Sequence, residues 1–420
     1  MIDVVVAGAG ASGMAAALSA VLNNNNVKVT ILEHGQEAGK KLLVTGNGRC
    51  NLTNRKLDEE CFRSHDSDRI GRWLQDIDSQ SIVDFFGRLG MMCTEKNGYL
   101  YPYSYQASTV RDTLVSACAE EGVNIVTDCH VMGISKKSVG KFEILVSRGY
   151  IDENGERKKR RVTYNADKIV LACGSKAYPK LGSDGSGYGI ARELGLKMFP
   201  VVPALTGLKC REGIYRLAAG VRTQANIDLF VDHEKMGSDR GEIQLTDYGI
   251  SGIPVFQVSR YASYGLAEGC KVHAVIDFMP EYTDEQIREI LDMNMVNHAE
   301  KNIYKILCGM LNSKLVKMIL AYCRIDEKIE TSEINDINKK DIVQAVKSFY
   351  TVITGINDYD QSQVCAGGIS LSEIDDSFQS IRIPGIYIVG EILDVDGICG
   401  GYNLHWAWLS GMTAGKNIGK

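Results

Sequence analysis

The first candidate site is a glycine-rich turn near the start of the sequence. Gly8, Gly10 and Gly13 follow the apolar run Ile2–Ala7 and precede a helix-forming run of small residues, and Glu33 comes 20 residues after Gly13. In such a turn the first glycine allows the tight bend, the second lets backbone approach a pyrophosphate, and the third allows close helix–strand packing. The helix N-terminus would bind the diphosphate and the acid the ribose hydroxyls. An acid here favours an unphosphorylated ribose, as in FAD or NAD.

A polar segment punctuated by glycines, residues 39–54, follows this acid directly. A simple NAD-binding domain usually proceeds quickly to its next helix. This segment instead supplies Asn, Arg and Lys donors and a permissive backbone that could wrap an extended ligand. The pattern favours a flavoprotein loop that contacts phosphate and isoalloxazine, with a glycine-rich surface loop as the alternative.

A second glycine-rich region lies near the end of the chain. A predicted strand over residues 386–389 ends at Gly390-Glu391, and Gly400-Gly401 opens a predicted helix over residues 405–416. A helix N-terminus in this position would face N1 and O2 of a flavin, where negative charge accumulates on reduction. The two ends of the chain therefore predict one shared ligand, and the alternative is a helix that merely starts after two glycines.

Residues 182–189 offer another glycine turn before a helix, which could suggest a separate NAD(P)H site. The turn does not directly follow a strand, however, and no acid or base lies at ribose distance after it. We therefore predict a glycine-capped helix that packs beside the first ligand.

The remaining pattern predicts an α/β fold, with a two-dinucleotide-binding (Rossmann-like) FAD domain and an inserted β-rich plus helical cap domain. Strands and helices alternate in the first part, up to a buried strand that ends at Gly174, whereas one helix after another is expected over residues 283–349. The predicted boundaries are 1–195 and 351–420 for the two parts of the FAD domain, 196–282 for the β-rich insertion and 283–350 for its helical segment.

Composition limits the classes of protein further. The chain has 420 residues and a formal charge of −5. Its 12 cysteines include no CxxC pair, so their spacing does not match a zinc, iron–sulfur or dithiol site. We expect no metal, free thiols and a reducing, cytoplasmic location. The sequence contains no apolar stretch long enough for a membrane span. The basic run at residues 157–161 is expected to be a solvated hairpin, so neither membrane nor nucleic acid is an expected partner, and the oligomeric state stays open.

Four blocks together resemble one family, the YhiN/BaiN-like FAD flavoproteins. They are the turn at residues 8–13 with Glu33, the loop over 41–54 with its GNGRCNLTN core, the turn at 365–369, and residues 390–403. The resemblance extends essentially from end to end. It implies FAD and the following cofactor-binding residues: Gly8, Gly10, Ala11, Ser12, Gly13, Glu33, Lys41, Asn47, Gly48, Arg49, Cys50, Asn51, Leu52, Val131, Gly174, Glu391, Asn403 and Leu404.

The family resemblance leaves several chemistries open. One is an NAD(P)H-dependent reductase that transfers hydride through flavin N5 to an activated C=C bond, such as that of a 3-oxo-Δ4 or Δ4,6 bile-acid (steroid) intermediate. Another is an O2-dependent oxidase of a small aminoketone, and a third is a flavin-containing RNA-modifying or scaffold protein. The unpaired cysteines favour the reductase over a peroxide-producing oxidase, and the missing Cys pair opposes a disulfide reductase.

The catalytic residues stay unknown at this point, because no acid, base or nucleophile transfers securely from the family. Tyr402, Tyr248 and His405 are candidates to polarise a ketone by residue type alone. A redox role for Cys50, Cys365 or Cys399 is not expected, because free cysteines are commonly buried.

Overall fold

The computed structural model describes residues 1–138 and 140–419. It divides into two compact units. One, here called the discontinuous unit, combines residues 1–201 with the chain from Gln363 onward, and the other, the inserted unit, is Val202–Ser362. The sequence predicted 195 and 351 for the limits of the two FAD-domain parts, so both observed limits lie further along the chain.

A five-stranded parallel sheet forms the centre of the discontinuous unit. Its strands are almost continuously apolar because both faces of a parallel sheet are covered. Residues Val4, Val6, Ile31 and Val170 are at most 1% exposed. In spatial order the strands are Ile386–Ile388, Lys168–Leu171, Ile2–Ala7, Val27–Leu32 and Asn124–Val126.

Smaller sheets contain the other strands of this unit. One is three-stranded and antiparallel, with Lys141–Ile151 between Cys129–Ser138 and Arg157–Ala166. The others pair short segments. These segments and the remaining strands of the unit are Thr53–Asn54, Phe62–Arg63, Cys93–Lys96, Tyr99–Pro102, Val364–Ile369 and Asp396–Gly397. The strand Met198–Ala204 contains the first unit boundary.

The first and last helices of the chain pack against each other through small residues. A Cβ atom on Gly411 would lie 2.4 Å from the carbonyl oxygen of Ser12, and one on Gly415 would lie 2.3 Å from that of Ala16. Only glycine allows this approach. The α-helices of the unit are Ala11–Asn23, Ile70–Asp76, Ser79–Arg88, Ala107–Glu120, Ser186–Glu193 and Tyr402–Asn417.

The inserted unit is built around a closed antiparallel barrel. Alternate residues of its strands fill the interior, and Ala225, Ile227 and Leu229 are fully buried. In spatial order the strands are Leu208–Cys210, Gly249–Gly252, Glu234–Leu245, Arg222–Val231, Val272–Asp277 and Phe349–Ile356.

The helices of the inserted unit bury their apolar faces in two clusters. The barrel cluster includes Leu315 and Met318, and a second cluster joins Leu291, Ile306 and Ile342. The helices are Ile253–Ala267, Asp284–Asn297, Ile303–Cys308, Ser313–Cys323 and Asp336–Lys347.

Two details of this unit differ from the sequence expectation. Residues from 351 onward were expected in the FAD domain, but strand Phe349–Ile356 closes the barrel of the inserted unit. The helix Ile253–Ala267 lies within the part expected to be β-rich. The basic run at residues 157–161 lies in strand Arg157–Ala166, which forms an antiparallel hairpin with Lys141–Ile151, and its side chains are exposed, so the expected solvated hairpin is confirmed. Within residues 1–138 and 140–419, no helix is both long and apolar enough to cross a membrane.

Candidate functional site

The glycine turn after the first strand has three distinct glycines. Gly8 has φ +109°, and a Cβ on it would lie 2.4 Å from the carbonyl oxygen of Ala172. A Cβ on Gly13 would lie 2.0 Å from the carbonyl oxygen of Gly8, so both positions exclude a side chain. Gly10 differs, because a Cβ there meets no atom within 4 Å. The turn is therefore held tightly on its protein side and is open on the other.

The open side of the turn is the start of the first helix. Gly10 is its N-cap, and no side chain caps it. The N–H groups of Ala11, Ser12 and Gly13 belong to the first helical turn, which has no intrahelical acceptors for them. Gly10, Ala11 and Ser12 line a pocket. This helix end therefore offers donors and a partial positive charge to an anionic ligand.

Glu33 lies on the same pocket, directly after the second strand. Its Oε2 accepts a hydrogen bond from the N–H of Ala9 at 2.8 Å, and its Oε1 accepts one from the N–H of Gly35 at 2.7 Å. These bonds fix the carboxylate beside the glycine turn. Because a carboxylate has about four acceptor positions, it can still accept hydroxyl donors from a ribose.

The last helix contributes a second end to the pocket. Its N-cap is Gly401, again without a side-chain cap. The Asn403 side chain accepts from the N–H of Gly397 and donates to the carbonyl of Gly397, both at 2.8 Å, so it braces the turn before the helix. Asn403 and Leu404 line the pocket. Two uncapped helix ends thus meet at one cavity.

An ion pair joins the loop after Glu33 to the segment that follows strand Ile386–Ile388 of the central sheet. Lys41 Nζ lies 2.7 Å from Glu391 Oε2, and Glu391 Oε1 accepts from the N–H of Cys365 at 3.3 Å. Both charged side chains are only 26% and 19% exposed. Lys41 and Glu391, predicted from separate blocks of sequence 350 residues apart, therefore meet on the pocket wall.

The pocket brings together most of the predicted cofactor residues. Those on its wall are Gly8, Gly10, Ala11, Ser12, Glu33, Lys41, Val131, Gly174, Glu391, Asn403 and Leu404. Gly13 lies behind the wall, where it packs helix on strand. Their roles toward a cofactor stay predictions.

Six predicted residues of the 47–52 segment do not line this pocket. Asn47, Gly48 and Arg49 are exposed, whereas Cys50 and Leu52 are fully buried in the hydrophobic core. Burial raises the pKa of the Cys50 thiol to about 12, so it stays a neutral thiol. Asn51 is different. A Cβ on Gly401 would lie 2.9 Å from its Oδ1, and this buried oxygen has no hydrogen-bond partner within the described residues.

These features fit bound FAD. The open space at Gly10 and the two uncapped helix ends suit a diphosphate, and Glu33 suits a ribose. Beside the start of the last helix, Asn51 Oδ1 is a buried acceptor without a donor among the described residues, although Asn51 does not line the pocket. FAD would therefore lie between the first and last helix ends.

Several pocket residues are absent from the sequence prediction. His34 directly follows Glu33, Cys129 and His130 begin a strand, and Ser183 and Ser186 lie in the glycine turn before helix Ser186–Glu193. Ser183 and Ser186 could have been found from the sequence, because the glycine turn that contains them was already predicted to pack beside the ligand. No sequence signal marks the histidines.

His34, His130 and Asp184 form a titratable cluster at the pocket. Burial, together with the neighbouring His34, lowers the pKa of His130. Burial opposes ionisation of Asp184, but hydrogen bonds from Ser186 outweigh it and lower the pKa of this carboxyl.

The candidates chosen by residue type do not form a catalytic group. His405 is fully buried, with Nδ1 2.8 Å from Thr53 Oγ1 and Nε2 3.1 Å from the carbonyl of Ile77, and burial lowers its pKa to about 4. Tyr402 is 4% exposed, and burial raises the pKa of its phenol. Tyr248 belongs to the inserted unit, where it accepts from Asn357 at 2.9 Å. The first two residues therefore have packing roles.

Cys50 and Cys365 are free thiols in the structure. Burial raises the pKa of Cys365, which was considered for a redox role, to about 11. A thiol with such a pKa is a poor nucleophile at neutral pH.

The fold and the pocket define a Rossmann-type flavoprotein. A family model described as HI0933-like protein Rossmann domain matches residues 2–417. The chain belongs to this family.

Two relatives and one solved structure illustrate the similarity. The chain is 38% identical over 413 residues to a 3-dehydro-bile acid delta(4,6)-reductase of Clostridium scindens, covering 98% of this chain and 97% of the relative. It is 25% identical over 421 residues to a ribosomal RNA dihydrouridine synthase of Escherichia coli, covering 99% and 98%. The structure of 3-ketosteroid delta1-dehydrogenase from Sterolibacterium denitrificans is similar in fold, with a TM-score of 0.50, 12% identity and coverage of 100% and 99%.

These findings confirm the predicted family, the α/β Rossmann fold with its β-rich second domain, and the class of enzyme. The chain is an FAD-dependent oxidoreductase.

Proposed function

We propose that the protein is a reductase that uses NAD(P)H and FAD to saturate a C=C bond conjugated to a carbonyl, with a 3-oxo-Δ4 or Δ4,6 steroid acid as substrate. The observation that carries this proposal is the 38% identity, over nearly the full length of both chains, to the 3-dehydro-bile acid delta(4,6)-reductase.

The chemistry assigns clear tasks to the chain. Bound FAD would supply the hydride at N5. The first-helix end and Glu33 would hold the diphosphate and ribose of the cofactor. The last-helix end would offer its partial positive charge to the negative charge of the reduced flavin.

Reduction of uridine in RNA is the second candidate, because a relative at 25% identity is named for it. Both names describe the addition of hydrogen to a carbon–carbon double bond, so the two candidates differ in substrate rather than in reaction. The charge pattern favours the small substrate. Within the basic strand, Arg157 pairs with Asp128 and Lys158 pairs with Asp152, which leaves less positive charge for phosphates.

Anaerobic stopped-flow spectroscopy tests the proposal in two half-reactions. The FAD-loaded protein is mixed with NADH or NADPH, and bleaching of the oxidised flavin band is followed. The reduced protein is then mixed with a 3-oxo-Δ4,6 bile acid, with a uridine-containing rRNA transcript or with buffer. We expect bleaching by at least one nicotinamide, and reoxidation at least about tenfold faster with the steroid acid than with RNA or buffer.

Three results would contradict the proposal. Faster reoxidation by the rRNA transcript would favour the RNA candidate. Bleaching only by an aminoketone, with peroxide formed in air, would favour the oxidase. A protein that retains no FAD after reconstitution would remove the flavin site itself.

A further inference from the structure

Two imidazoles on the pocket wall and a neighbouring carboxylate converge close to Glu33. His34 and His130 both lie on the pocket wall, with ring centroids 4.3 Å apart. Asp184 Oδ2 lies 3.4 Å from His34 Nδ1. One ligand atom from each of the three side chains lies within 4.8 Å of the others, in the part of the chain that the structure describes.

Backbone hydrogen bonds hold the three residues in place. The N–H of Cys129 donates to the carbonyl of Glu33 at 2.8 Å, and that of Asp128 donates to the carbonyl of Gly35 at 2.9 Å. These bonds fix His34 against His130. On the third element, Asp184 Oδ1 accepts from the N–H of Ser186 at 2.9 Å, so the other oxygen, Oδ2, faces His34. These contacts therefore bring the three side chains together.

The ligand types select one class of cation. Imidazole nitrogen with a carboxylate oxygen suits zinc and similar first-row transition metals, whereas magnesium and calcium prefer oxygen ligands alone. The side chains are partly accessible, with His34 43% and Asp184 31% exposed, so a cation can enter from solvent. Negative charge comes from Asp184 and the adjacent Glu33, and Lys159 opposes it near His130.

We propose that His34, His130 and Asp184 bind one divalent cation of the zinc type in the FAD-loaded protein, with a water molecule completing the coordination. The cation links the segment after the second strand, the strand Cys129–Ser138 and the turn before helix Ser186–Glu193. Because these three segments form one side of the pocket, the site has a structural role next to the cofactor, and zinc stabilises the folded protein by linkage.

Calorimetric titration of zinc into FAD-loaded, chelator-treated protein tests this proposal. The variants are Asp184→Asn, which keeps an oxygen for the Ser186 N–H, and His130→Gln. Loss of outer-shell partners alone weakens metal binding about 10- to 100-fold, so each variant should bind zinc at least about tenfold more weakly. His298→Gln is the matched control, because His298 is 47% exposed and lies 3.8 Å from one carboxylate, that of Glu300. It should bind zinc as the unaltered protein does.

X-ray absorption at the zinc edge separates this site from the thiols. Nitrogen and oxygen neighbours at about 2.0–2.1 Å with imidazole scattering support the proposal, whereas a sulfur shell at about 2.3 Å overturns it. It is also overturned if no zinc binds to the FAD-loaded protein, or if all three variants bind zinc equally. The flavin absorbance of each variant is recorded, so that loss of FAD is not mistaken for loss of the metal.

Discussion

Most helices of the inserted unit begin differently from the two pocket helices, and the exception is Ile253–Ala267, which begins after Gly252 without a side-chain cap. Thr283, Asn302, Asn312 and Asn335 each cap a helix of the inserted unit, and each accepts a hydrogen bond from an N–H of the first turn. The two pocket helices begin at Gly10 and Gly401, which have no side chain to offer.

This difference separates helices that serve stability from helix ends that serve a ligand. A side-chain cap satisfies N–H donors that are otherwise left open and typically contributes about 1 kcal/mol. A glycine start forgoes only about 0.3 kcal/mol of that stabilisation and leaves the donors for an anion. Three substitutions test the comparison.

Gly10→Asp places a cap on the first pocket helix, and we expect the largest effect from it. The carboxylate fills the open space and opposes the diphosphate, and charges about 4 Å apart interact by several kcal/mol even near a protein surface. FAD affinity should fall at least about 100-fold, measured by fluorescence titration. The free energy of unfolding of the FAD-free protein should change by less than about 0.5 kcal/mol.

Gly87→Asp is the control for Gly10→Asp. A Cβ atom on Gly87 would likewise meet no atom within 4 Å, yet this glycine lies in helix Ser79–Arg88 and does not line the pocket. The FAD affinity of this variant should stay unchanged. Equal losses in both variants would mean that the helix start is not the ligand site.

His405 makes the start of the second pocket helix sensitive to acid. Its pKa is about 4 when folded, against a reference of 6.5, so the unfolded chain binds more protons between these values and stability falls as pH falls through this window. From pH 7 to pH 5 the free energy of unfolding should fall by about 2 kcal/mol from this residue alone. The measurement is urea unfolding at both pH values, with His405→Gln expected to lose less stability than the unaltered protein. An identical pH dependence in the variant would contradict the assignment.

Thr283→Ala removes a cap from the inserted unit, where we expect the smallest effect. Its hydroxyl accepts from the N–H of Gln286 at 3.2 Å. Loss of this bond should cost about 1 kcal/mol in urea unfolding, with unchanged FAD affinity. Thr283→Ser, which keeps the hydroxyl, should restore most of the stability. A fall in FAD affinity with Thr283→Ala would break the distinction between the two kinds of helix start.

Local sequence patterns predicted the glycine turn of the discontinuous unit for a physical reason. Gly8, Gly13 and Glu33 belong to one strand–turn–helix–strand segment, residues 2–33, so their spacing carries the information, although the close contact at Gly8 is with the distant Ala172. The pairing of Lys41 with Glu391 could be expected only through the family resemblance, because the two residues are far apart in sequence.

The inserted unit was harder to predict because its barrel depends on pairing between strands that are far apart in sequence. Strand Phe349–Ile356 pairs with Val272–Asp277 across the helical segment, and no local pattern indicates that closure. The cluster of His34, His130 and Asp184 has the same origin, because three separate elements bring it together. The core positions of Cys50 and Leu52 were also hidden, since a polar glycine-rich loop gives no sign of which side chains turn inward.

The discontinuous unit also fixes when the cofactor can be acquired. Strand Ile386–Ile388 completes the central sheet beside Lys168–Leu171, and the second pocket helix begins only at Tyr402 of 420 residues. A ribosome adds about 5–20 residues per second, so on the order of 20 to 80 seconds separate the synthesis of the first helix end from that of the second. The nascent chain therefore has an incomplete pocket until the residues from Tyr402 onward are made, and FAD capture by both helix ends follows that step.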